Sequence, residues 1–200
     1  MARAALLAGA TGLVGGHVLD RLLASPAHDR VIVLVRRPLD RAHPKLDVRI
    51  VDFEALAGGD GVDLGAADEA YLCLGTTRRA AGSAERFRRV DHDYTLACAR
   101  VARDAGVGRV GLVSSVGASA RAASFYLRVK GETERDVEAL GFDARAVARP
   151  SFLVGERREH RAGEAIAITA ARALGWAFGG PLRRYRAIEA DVVAAALVAA

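Results

Sequence analysis

Lysine, cysteine and long apolar runs are all scarce in this chain of 200 residues. Of the 29 basic residues only Lys45 and Lys130 are lysines, so nearly every cation is an arginine. The two cysteines, Cys73 and Cys98, are too few for a disulfide framework and lack the spacing of a zinc site, and the five histidines do not cluster like metal ligands. No run approaches the roughly 20 apolar residues that span a bilayer. We therefore expect no metal site and no membrane partner.

Charge and cysteine use narrow the class of protein further. The net charge is +5, but the basic residues are scattered and no aromatic stacking platform accompanies them, which argues against a nucleic-acid partner. Cys73 falls in a predicted strand and Cys98 in a predicted helix, as buried free thiols of a reducing compartment do. A glycine loop begins at Gly9, too early for a secretory signal peptide to precede it. We expect a cytoplasmic protein.

Short apolar runs alternate with helical patterns along the whole chain. Predicted strands lie near 3–8, 30–35, 47–51, 68–74, 108–114 and 143–148, and predicted helices near 13–24, 84–105, 122–140, 164–177 and 190–199. This alternation predicts an α/β fold with a doubly wound parallel sheet and right-handed crossovers. The glycine cluster at 58–61 is typical of a turn, so we expect one domain over residues 1–200.

A glycine-rich loop separates the first predicted strand from the first predicted helix. Its residues are Gly9, Ala10, Thr11, Gly12, Leu13, Val14 and Gly15. Glycines in this position let the backbone approach a pyrophosphate, and the following helix N-terminus offers N–H groups and a positive dipole. The spacing is G-x-x-G-x-x-G, which differs from the common G-x-G-x-x-G fingerprint. The loop predicts a dinucleotide site.

Two arginines end the second predicted strand. Arg36 lies 21 residues beyond Gly15, where a dinucleotide fold places the group that contacts the adenosine ribose. An acidic residue there would accept from the 2′-hydroxyl and repel a 2′-phosphate, whereas Arg36 and Arg37 favour the phosphate. We expect NADP(H) as the cofactor, although a solvated basic turn explains the same residues.

Tyr126 and Lys130 stand four residues apart in a predicted helix. The spacing places the phenol and the ammonium on one face. A cation beside a tyrosine favours the phenolate, which suits a general acid and base for carbonyl or alcohol chemistry. An ordinary amphipathic helix with a solvated lysine has the same pattern, but the scarcity of lysine argues for a specific role.

Together these motifs resemble those of the short-chain dehydrogenase/reductase superfamily, especially its small atypical branch that includes the human Tat-interacting protein. The resemblance runs from Gly9 to about Glu164. It rests on the glycine loop and on Val51–Glu54, Cys73–Arg78, Arg89–Tyr94, Val113–Gly117, Tyr126–Lys130 and Arg149–Pro150. It implies a Rossmann fold with a small C-terminal cap, and a small carbonyl or alcohol substrate.

The resemblance also implies which residues bind the cofactor. Beyond the glycine loop and the two arginines, they are Asp52, Phe53, Leu74, Gly75, Thr76, Ser114, Tyr126, Lys130, Pro150, Ser151, Phe152 and Leu153. Some have simpler alternatives: Asp52 as a helix cap, Thr76 as a turn residue and Pro150 as the end of a strand.

The catalytic set implied by the resemblance is Ser115, Tyr126 and Lys130. Tyr126 would exchange the proton, Ser115 would polarise the substrate oxygen, and Lys130 would hold the ribose hydroxyls. Ser115 lies 11 residues before Tyr126, slightly closer than in many members, which leaves Ser114 as the alternative. Asp91 replaces an asparagine that helps many relatives hold a water beside the lysine. A carboxylate there would still accept hydrogen bonds from that water or from Lys130, and a plain surface helix residue is the other interpretation.

A second class of function stays open at this point. The branch includes proteins discussed as NADPH-binding regulators, so a redox-sensing module without robust catalysis is the alternative to an enzyme. A homodimer or a protein partner is compatible with either. Arg157, Arg158, His160 and Arg161 form a basic segment that would attract an anionic substrate or merely lie in solvent.

Overall fold

The structure is a computed structural model and describes residues 3–154 and 186–200. Its centre is a six-stranded sheet in which every neighbouring pair is parallel. The strands are β1 (Arg3–Ala8), β2 (His28–Val35), β3 (Leu46–Ile50), β4 (Glu69–Leu72), β5 (Arg109–Val113) and β6 (Ala144–Ala148). Two further strands, β7 (Leu153–Val154) and β8 (Ile188–Glu189), pair in parallel in a small second sheet.

The strand order is β3-β2-β1-β4-β5-β6. The chain therefore moves outward from β1 to β3, returns to the centre, and then builds the other half from β4 to β6. The reversal lies between β1 and β4, and their carboxyl ends flank a crevice there. In open parallel sheets of this kind a crevice at the reversal point is the usual ligand site.

The central strands are apolar at nearly every position because both faces of the sheet are covered. In β1, Leu6 packs on one face and Leu7 on the other, and both are fully buried. In β2, Ile32 and Val33 divide between the same two faces. These runs therefore lack the alternation of polar and apolar residues that marks a strand with one wet face.

Seven α-helices flank the sheet in the described part of the chain. They are α1 (Leu13–Ala24), α2 (Phe53–Gly58), α3 (Arg78–Ala81), α4 (Ala84–Arg88), α5 (Thr95–Asp104), α6 (Phe125–Glu138) and α7 (Ala190–Ala199). The core on one face includes residues of α1 and α7, and the core on the other includes residues of α2, α5 and α6. The predicted doubly wound α/β fold is confirmed.

The six predicted strands and the helices α1, α6 and α7 agree with the structure to within three residues at each end. Sequence reasoning missed α2, α3, β7 and β8, all of which have six residues or fewer. The predicted helix at 164–177 and the basic segment at 157–161 lie outside the described residues. No helix of residues 3–154 and 186–200 is long and apolar enough to cross a membrane. Within the same ranges, no three His, Cys, Asp or Glu side chains cluster as metal ligands would.

The predicted helix over 84–105 is confirmed in extent, but its middle departs from α-helical geometry. A π-helical segment, Arg89–Tyr94, separates α4 from α5. A π-turn holds one more residue than an α-turn, which changes the direction of the side chains that follow. The Thr133 hydroxyl donates to the carbonyl of Asp91, and the Thr95 hydroxyl donates weakly to that of Val90. The sequence pattern does not reveal the additional residue of the π-turn, because the apolar residues keep a helical period in the turns on both sides.

Candidate cofactor-binding and active site

The glycine loop between β1 and α1 is compact because three close approaches leave no space for side chains. A Cβ on Gly9 would lie 2.5 Å from the carbonyl of Cys73 at the end of β4, and Gly9 has a φ of +93°. A Cβ on Gly15 would overlap the carbonyl of Gly9, and one on Gly12 would lie 3.2 Å from the same oxygen. The glycines thus allow α1 to begin directly against the crevice between β1 and β4.

The N-terminus of α1 fits an anionic group. Gly12 occupies the N-cap position without a side chain to accept from the first N–H groups, and the first turn holds no acidic residue. These donors and the helix dipole are therefore free to face a pyrophosphate. The uncapped helix N-terminus and the close backbone contacts at the glycines therefore fit the pyrophosphate of a dinucleotide.

The ends of β2 and β3 carry the residues predicted to bind the adenosine half. Arg36 and Arg37 follow β2 directly and are exposed. Asp52 accepts a hydrogen bond of 2.8 Å from the Glu54 N–H and caps α2, as its simpler interpretation predicts. The Phe53 ring is buried and packs 5.5 Å from the Tyr94 ring, so its side chain belongs to the core.

The loop after β4 meets Lys130 through Asp91. Lys130 Nζ lies 2.7 Å from Asp91 Oδ1, and the side chains are only 8% and 1% exposed. The other carboxylate oxygen, Oδ2, accepts 2.8 Å from the Thr76 N–H. A Cβ on Gly75 would lie 3.6 Å from Lys130 Nζ, so the glycine leaves the space beside the ammonium open. Leu74 packs against the core from the same loop.

Asp91 is therefore a buried partner of the lysine, and the interpretation of it as a surface residue is wrong. Burial raises the pKa of Asp91, and Lys130 together with the Thr76 N–H offsets part of that rise. The π-helical segment directs Asp91 and the adjacent His92 toward α6, where His92 Nε2 lies 2.8 Å from Asp136. The family resemblance placed this carboxylate beside the lysine and allowed a contact with Lys130, which the structure shows.

The two serines after β5 lie at the same edge of the sheet. Ser114 Oγ is buried without a hydrogen-bond partner, and Ser115 Oγ has only a long contact of 3.5 Å to the carbonyl of Val116. Both hydroxyls are therefore available to a ligand oxygen. The choice between them, for which we favour Ser115, stays a prediction.

The segment after β6 borders the connection at 114–124, the serine loop, which carries Ser114 and Ser115. Val116 N–H donates 2.9 Å to the carbonyl of Pro150, which is buried. Ser151 Oγ donates to the carbonyl of Arg186, and Leu153 begins β7. Phe152 is 72% exposed. Pro150 thus joins the carboxyl edges of β5 and β6, where the resemblance implies a passage beside the nicotinamide.

Tyr126 and Lys130 lie on α6 as the spacing predicts. The Tyr126 ring is half-buried and packs 5.5 Å from the Phe87 ring. Its hydroxyl has no hydrogen-bond partner among residues 3–154 and 186–200. A Cβ on Gly131 would overlap the backbone of Ser119, so α6 rests directly on the loop that carries the two serines. This contact positions Tyr126 and the serines relative to one another.

Known proteins similar to this chain cover most of its length. A family model described as NAD(P)H-binding matches residues 9–199. A protein of Emericella nidulans named "Protein fmp52, mitochondrial" is 38% identical over 99% of this chain and 86% of its own length. Protein HTATIP2 of Rattus norvegicus is 38% identical over 82% of this chain and 69% of its own length.

Solved structures share the fold at low identity. A short chain dehydrogenase family protein from Francisella tularensis superposes with a TM-score of 0.67 at 14% identity, over 99% of this chain and 90% of the other. MoeE5, solved in complex with UDP-glucose and NAD, gives a TM-score of 0.63 at 21% identity over 85% of this chain. The match spans 60% of the MoeE5 chain. Both comparisons support a Rossmann fold.

The expected cytoplasmic location is contradicted by the relatives. Proteins of the fmp52 name from Emericella nidulans, Aspergillus niger and Eremothecium gossypii are all designated mitochondrial. The expectation relied on Cys73 and Cys98 as free thiols, and both are indeed free. Free thiols indicate only a reducing surrounding and do not identify the compartment, which is why the inference was wrong.

Proposed function

Because the chain belongs to the NAD(P)H-binding family and has the fold of the short-chain dehydrogenases, we propose that it is an NADPH-dependent oxidoreductase. Its substrate is a small carbonyl compound or the corresponding alcohol. The observation that carries the proposal is the position of four side chains at the carboxyl edge of the sheet, beside the glycine loop at 9–15. They are Tyr126, Lys130 and the two serines. A bound nicotinamide supplies or accepts the hydride, and the chain supplies the rest.

Each of the three proposed catalytic side chains has a separate task. The Tyr126 hydroxyl, free of protein partners, delivers or takes the proton at the substrate oxygen. Ser115 donates a hydrogen bond to that oxygen and holds it near Tyr126. Lys130 has three N–H donors and forms an ion pair with Asp91, so donors remain for the hydroxyls of a ribose.

The preference for NADPH over NADH rests on Arg36 and Arg37. Both are exposed at the end of β2, and neither lies within ion-pair distance of a carboxylate in the described part of the chain. Guanidinium groups without an internal partner are available to a 2′-phosphate, with which they form charge-assisted hydrogen bonds.

A redox-sensing function without robust catalysis is the second candidate, and the Asp91–Lys130 pair favours it. A buried carboxylate at 2.7 Å neutralises the cation that a catalytic tyrosine relies on. Such a site keeps its affinity for the cofactor but provides less assistance to proton transfer. The two candidates differ in turnover and agree in NADPH binding.

Substitution of Tyr126 by Phe tests the proposal directly. The change removes one hydroxyl that has no protein partner, so folding and NADPH affinity should be unchanged. NADPH oxidation with a panel of small aldehydes and ketones should fall by about 100-fold or more, the lower limit for loss of a general acid. Calorimetric titration with NADPH and a stopped-flow absorbance assay measure the two quantities on the same samples.

The outcomes separate the two candidates. Turnover by the parent that is lost in Tyr126→Phe supports the oxidoreductase. NADPH binding without turnover of any carbonyl compound by the parent supports the sensor. A variant that turns over at the parent rate shows that the proton comes from another group and defeats the proposed role of Tyr126.

A further inference from the structure

The arginines in residues 3–154 and 186–200 differ in whether a protein group pairs with their guanidinium. In the described residues, those with a carboxylate at ion-pair distance are Arg3, Arg21, Arg30, Arg41, Arg49, Arg88, Arg89, Arg109, Arg135, Arg145 and Arg149. Those with neither a carboxylate nor a carbonyl partner are Arg36, Arg37, Arg78, Arg79, Arg86, Arg100 and Arg121. More than half of the arginines in the described part of the chain thus have an internal partner, and the second group is available to ligands.

The unpartnered arginines concentrate on the segments that leave the carboxyl ends of the strands. Arg36 and Arg37 follow β2, and the remainder except Arg100 belong to the connections after β4 and β5. Between Thr76 and Arg88 the sequence has four arginines and a single acidic residue, Glu85. The connection at 114–124 contains no acidic residue at all. The candidate active site therefore has an excess of positive charge at its border.

Arg78 is a member of this group that ring contacts connect to the proposed catalytic tyrosine. Its guanidinium stacks on the Phe125 ring, with the central carbon 5.4 Å from the ring centre. Phe125 immediately precedes Tyr126, and both rings pack against Phe87, at 6.0 and 5.5 Å. Stacking holds the guanidinium plane in place and leaves its N–H edge free for a hydrogen-bonded anion.

Neighbouring groups do not compete for Arg78. The pKa of Glu85 is lowered mainly by hydrogen bonds from its own N–H and from Ser83, and only to a smaller degree by the charge of Arg78. Arg128, which stacks on the same ring at 5.8 Å, donates instead to the carbonyls of Ala122 and Ala123. One guanidinium is thus structural, and the other is exposed and oriented.

We propose that Arg78 binds an oxyanion group of the substrate, so that the substrates are small carbonyl compounds carrying a carboxylate or a phosphate. This inference rests on the proposed function, since it takes Tyr126 as the position of the reacting carbonyl. The planar fork of arginine pairs with either oxyanion through two parallel hydrogen bonds. Arg78 is then a residue of substrate specificity and is separate from the arginines at the 2′-phosphate position.

Binding of three matched aldehydes to the complex with NADP⁺ tests the inference without any turnover. 4-Carboxybenzaldehyde and 4-formylphenyl phosphate carry an oxyanion, and 4-carbamoylbenzaldehyde is the neutral isostere of the carboxylate. We expect the parent to bind the two anions roughly fivefold or more tightly than the amide, a modest gain for an exposed charge-assisted pair. Arg78→Ala should abolish this preference, and Arg78→Lys should retain part of it. Arg100→Ala, which removes an unpartnered arginine from α5, should leave the preference unchanged.

Three results would overturn the anion site. The first is equal affinity of the parent for all three aldehydes, and the second is survival of the preference in Arg78→Ala. The third is a loss of NADP⁺ affinity in Arg78→Ala as large as its loss of affinity for the anionic aldehydes, which would assign Arg78 to the cofactor. If the parent prefers the anionic aldehydes through Arg78 but oxidises NADPH with none of the three, the result contradicts the proposed oxidoreductase and supports the anion site. The two proposals can therefore fail separately.

Discussion

At the residue scale, Lys130 is the most constrained cation of the candidate site. Its side chain is only 8% exposed, Asp91 lies 2.7 Å away, and Gly75 leaves the space beside both groups open. A compact ammonium fits this space, whereas a guanidinium is larger, planar and unable to direct single N–H groups to three separate acceptors. The geometry explains why a chain so rich in arginine has a lysine here.

Lys130→Arg should therefore weaken NADPH binding severalfold or more, although the charge is unchanged. The planar group cannot keep the Asp91 contact and also reach two ribose hydroxyls. The matched control is Lys45→Arg at the only other lysine of the sequence. The Lys45 ammonium donates a hydrogen bond of 2.8 Å to the carbonyl of Ser25, and Lys45 is far in sequence from the glycine loop. Calorimetric titration with NADPH should distinguish the two variants; superimposable curves would mean that Lys130 is only structural.

The cofactor preference is the second prediction at this scale. NADPH should bind about tenfold or more tightly than NADH, a difference of about 1.4 kcal/mol. Replacing Arg36 and Arg37 together by Ala should remove most of this difference through loss of NADPH affinity alone. Arg100→Ala serves as the control for the removal of an exposed arginine. Equal affinity of the parent protein for both nucleotides would disprove the role of the pair.

Local spacing made some of these residues predictable from sequence and left others hidden. Tyr126 and Lys130 follow the helical period, and Arg36 and Arg37 stand directly after an apolar strand, so their positions could be predicted. Only the family resemblance placed Asp91 beside Lys130, because this contact joins residues 39 positions apart through a π-turn. Long-range pairing of that kind has no signature in a single sequence.

At the element scale, α6 is the helix on which the site depends. It carries Tyr126 and Lys130, and Gly131 lets it approach the loop after β5 so closely that a Cβ would overlap the Ser119 backbone. On its other side Thr133 donates 3.1 Å to the Asp91 carbonyl in the π-helical segment. The helix therefore holds the serine loop and the Asp91 segment in one arrangement.

Gly131→Ala should destabilise the protein even though alanine is the better helix former. The new methyl group meets backbone atoms, which cannot move aside as a flexible side chain would, and overpacking of this type costs about 1–3 kcal/mol. Gly16→Ala is the matched control, because that helical glycine has only ordinary contact space, with the Ala10 carbonyl oxygen at 3.6 Å. It should stabilise by about 0.5–1 kcal/mol.

Urea unfolding without cofactor measures both free energies of unfolding. Opposite signs for the two substitutions are expected, with a loss for Gly131→Ala. If Gly131→Ala stabilises as much as Gly16→Ala, then α6 does not rest on the serine loop.

Short elements such as α3 were missed from sequence because one turn has too few residues to show a period, and tertiary contacts decide its conformation.

At the scale of the whole molecule, the two edges of the sheet differ in how their polar groups are used. At the amino ends of the strands, buried Glu69 accepts hydrogen bonds from Arg3 and Tyr71, both at 2.9 Å, and contacts His28 at 2.5 Å. At the carboxyl ends, the Ser114 hydroxyl and the two arginines after β2 lack partners among the residues that the structure describes. One edge therefore contributes to the stability of the sheet and the other is free to bind ligands.

The overall architecture was predictable because apolar runs such as Ala4–Ala8 and Val31–Val35, each followed by a glycine or a charge, are typical of buried parallel strands. The strand order, with β4 beside β1, was not assigned from sequence, because it depends on which distant runs pair. The prediction of one domain over residues 1–200 stays a prediction.

Buried acidic groups predict a loss of stability at alkaline pH. Burial raises the pKa of the Cys98 thiol from 9.0 to about 12 and raises the pKa of the Tyr71 phenol as well, with the Glu69 charge adding to the latter. Above pH 9 the unfolded chain releases the thiol proton while the folded chain keeps it. The folded state then binds more protons, so the free energy of unfolding falls as the pH rises. At about pH 10 the expected loss from Cys98 alone is about 1.4 kcal/mol.

Cys98→Ala isolates this contribution, because it removes the ionising group from both states. In urea unfolding with a reductant present, the parent should lose about 1.4 kcal/mol more than the variant between about pH 7.5 and about pH 10. The variant starts from a lower stability, since a buried thiol is replaced by a smaller group, but its curve against pH should be flatter. Parallel curves would mean that the thiol ionises as readily in the folded protein as in the unfolded chain, and that Cys98 is less enclosed by α5 and the sheet than its complete burial indicates.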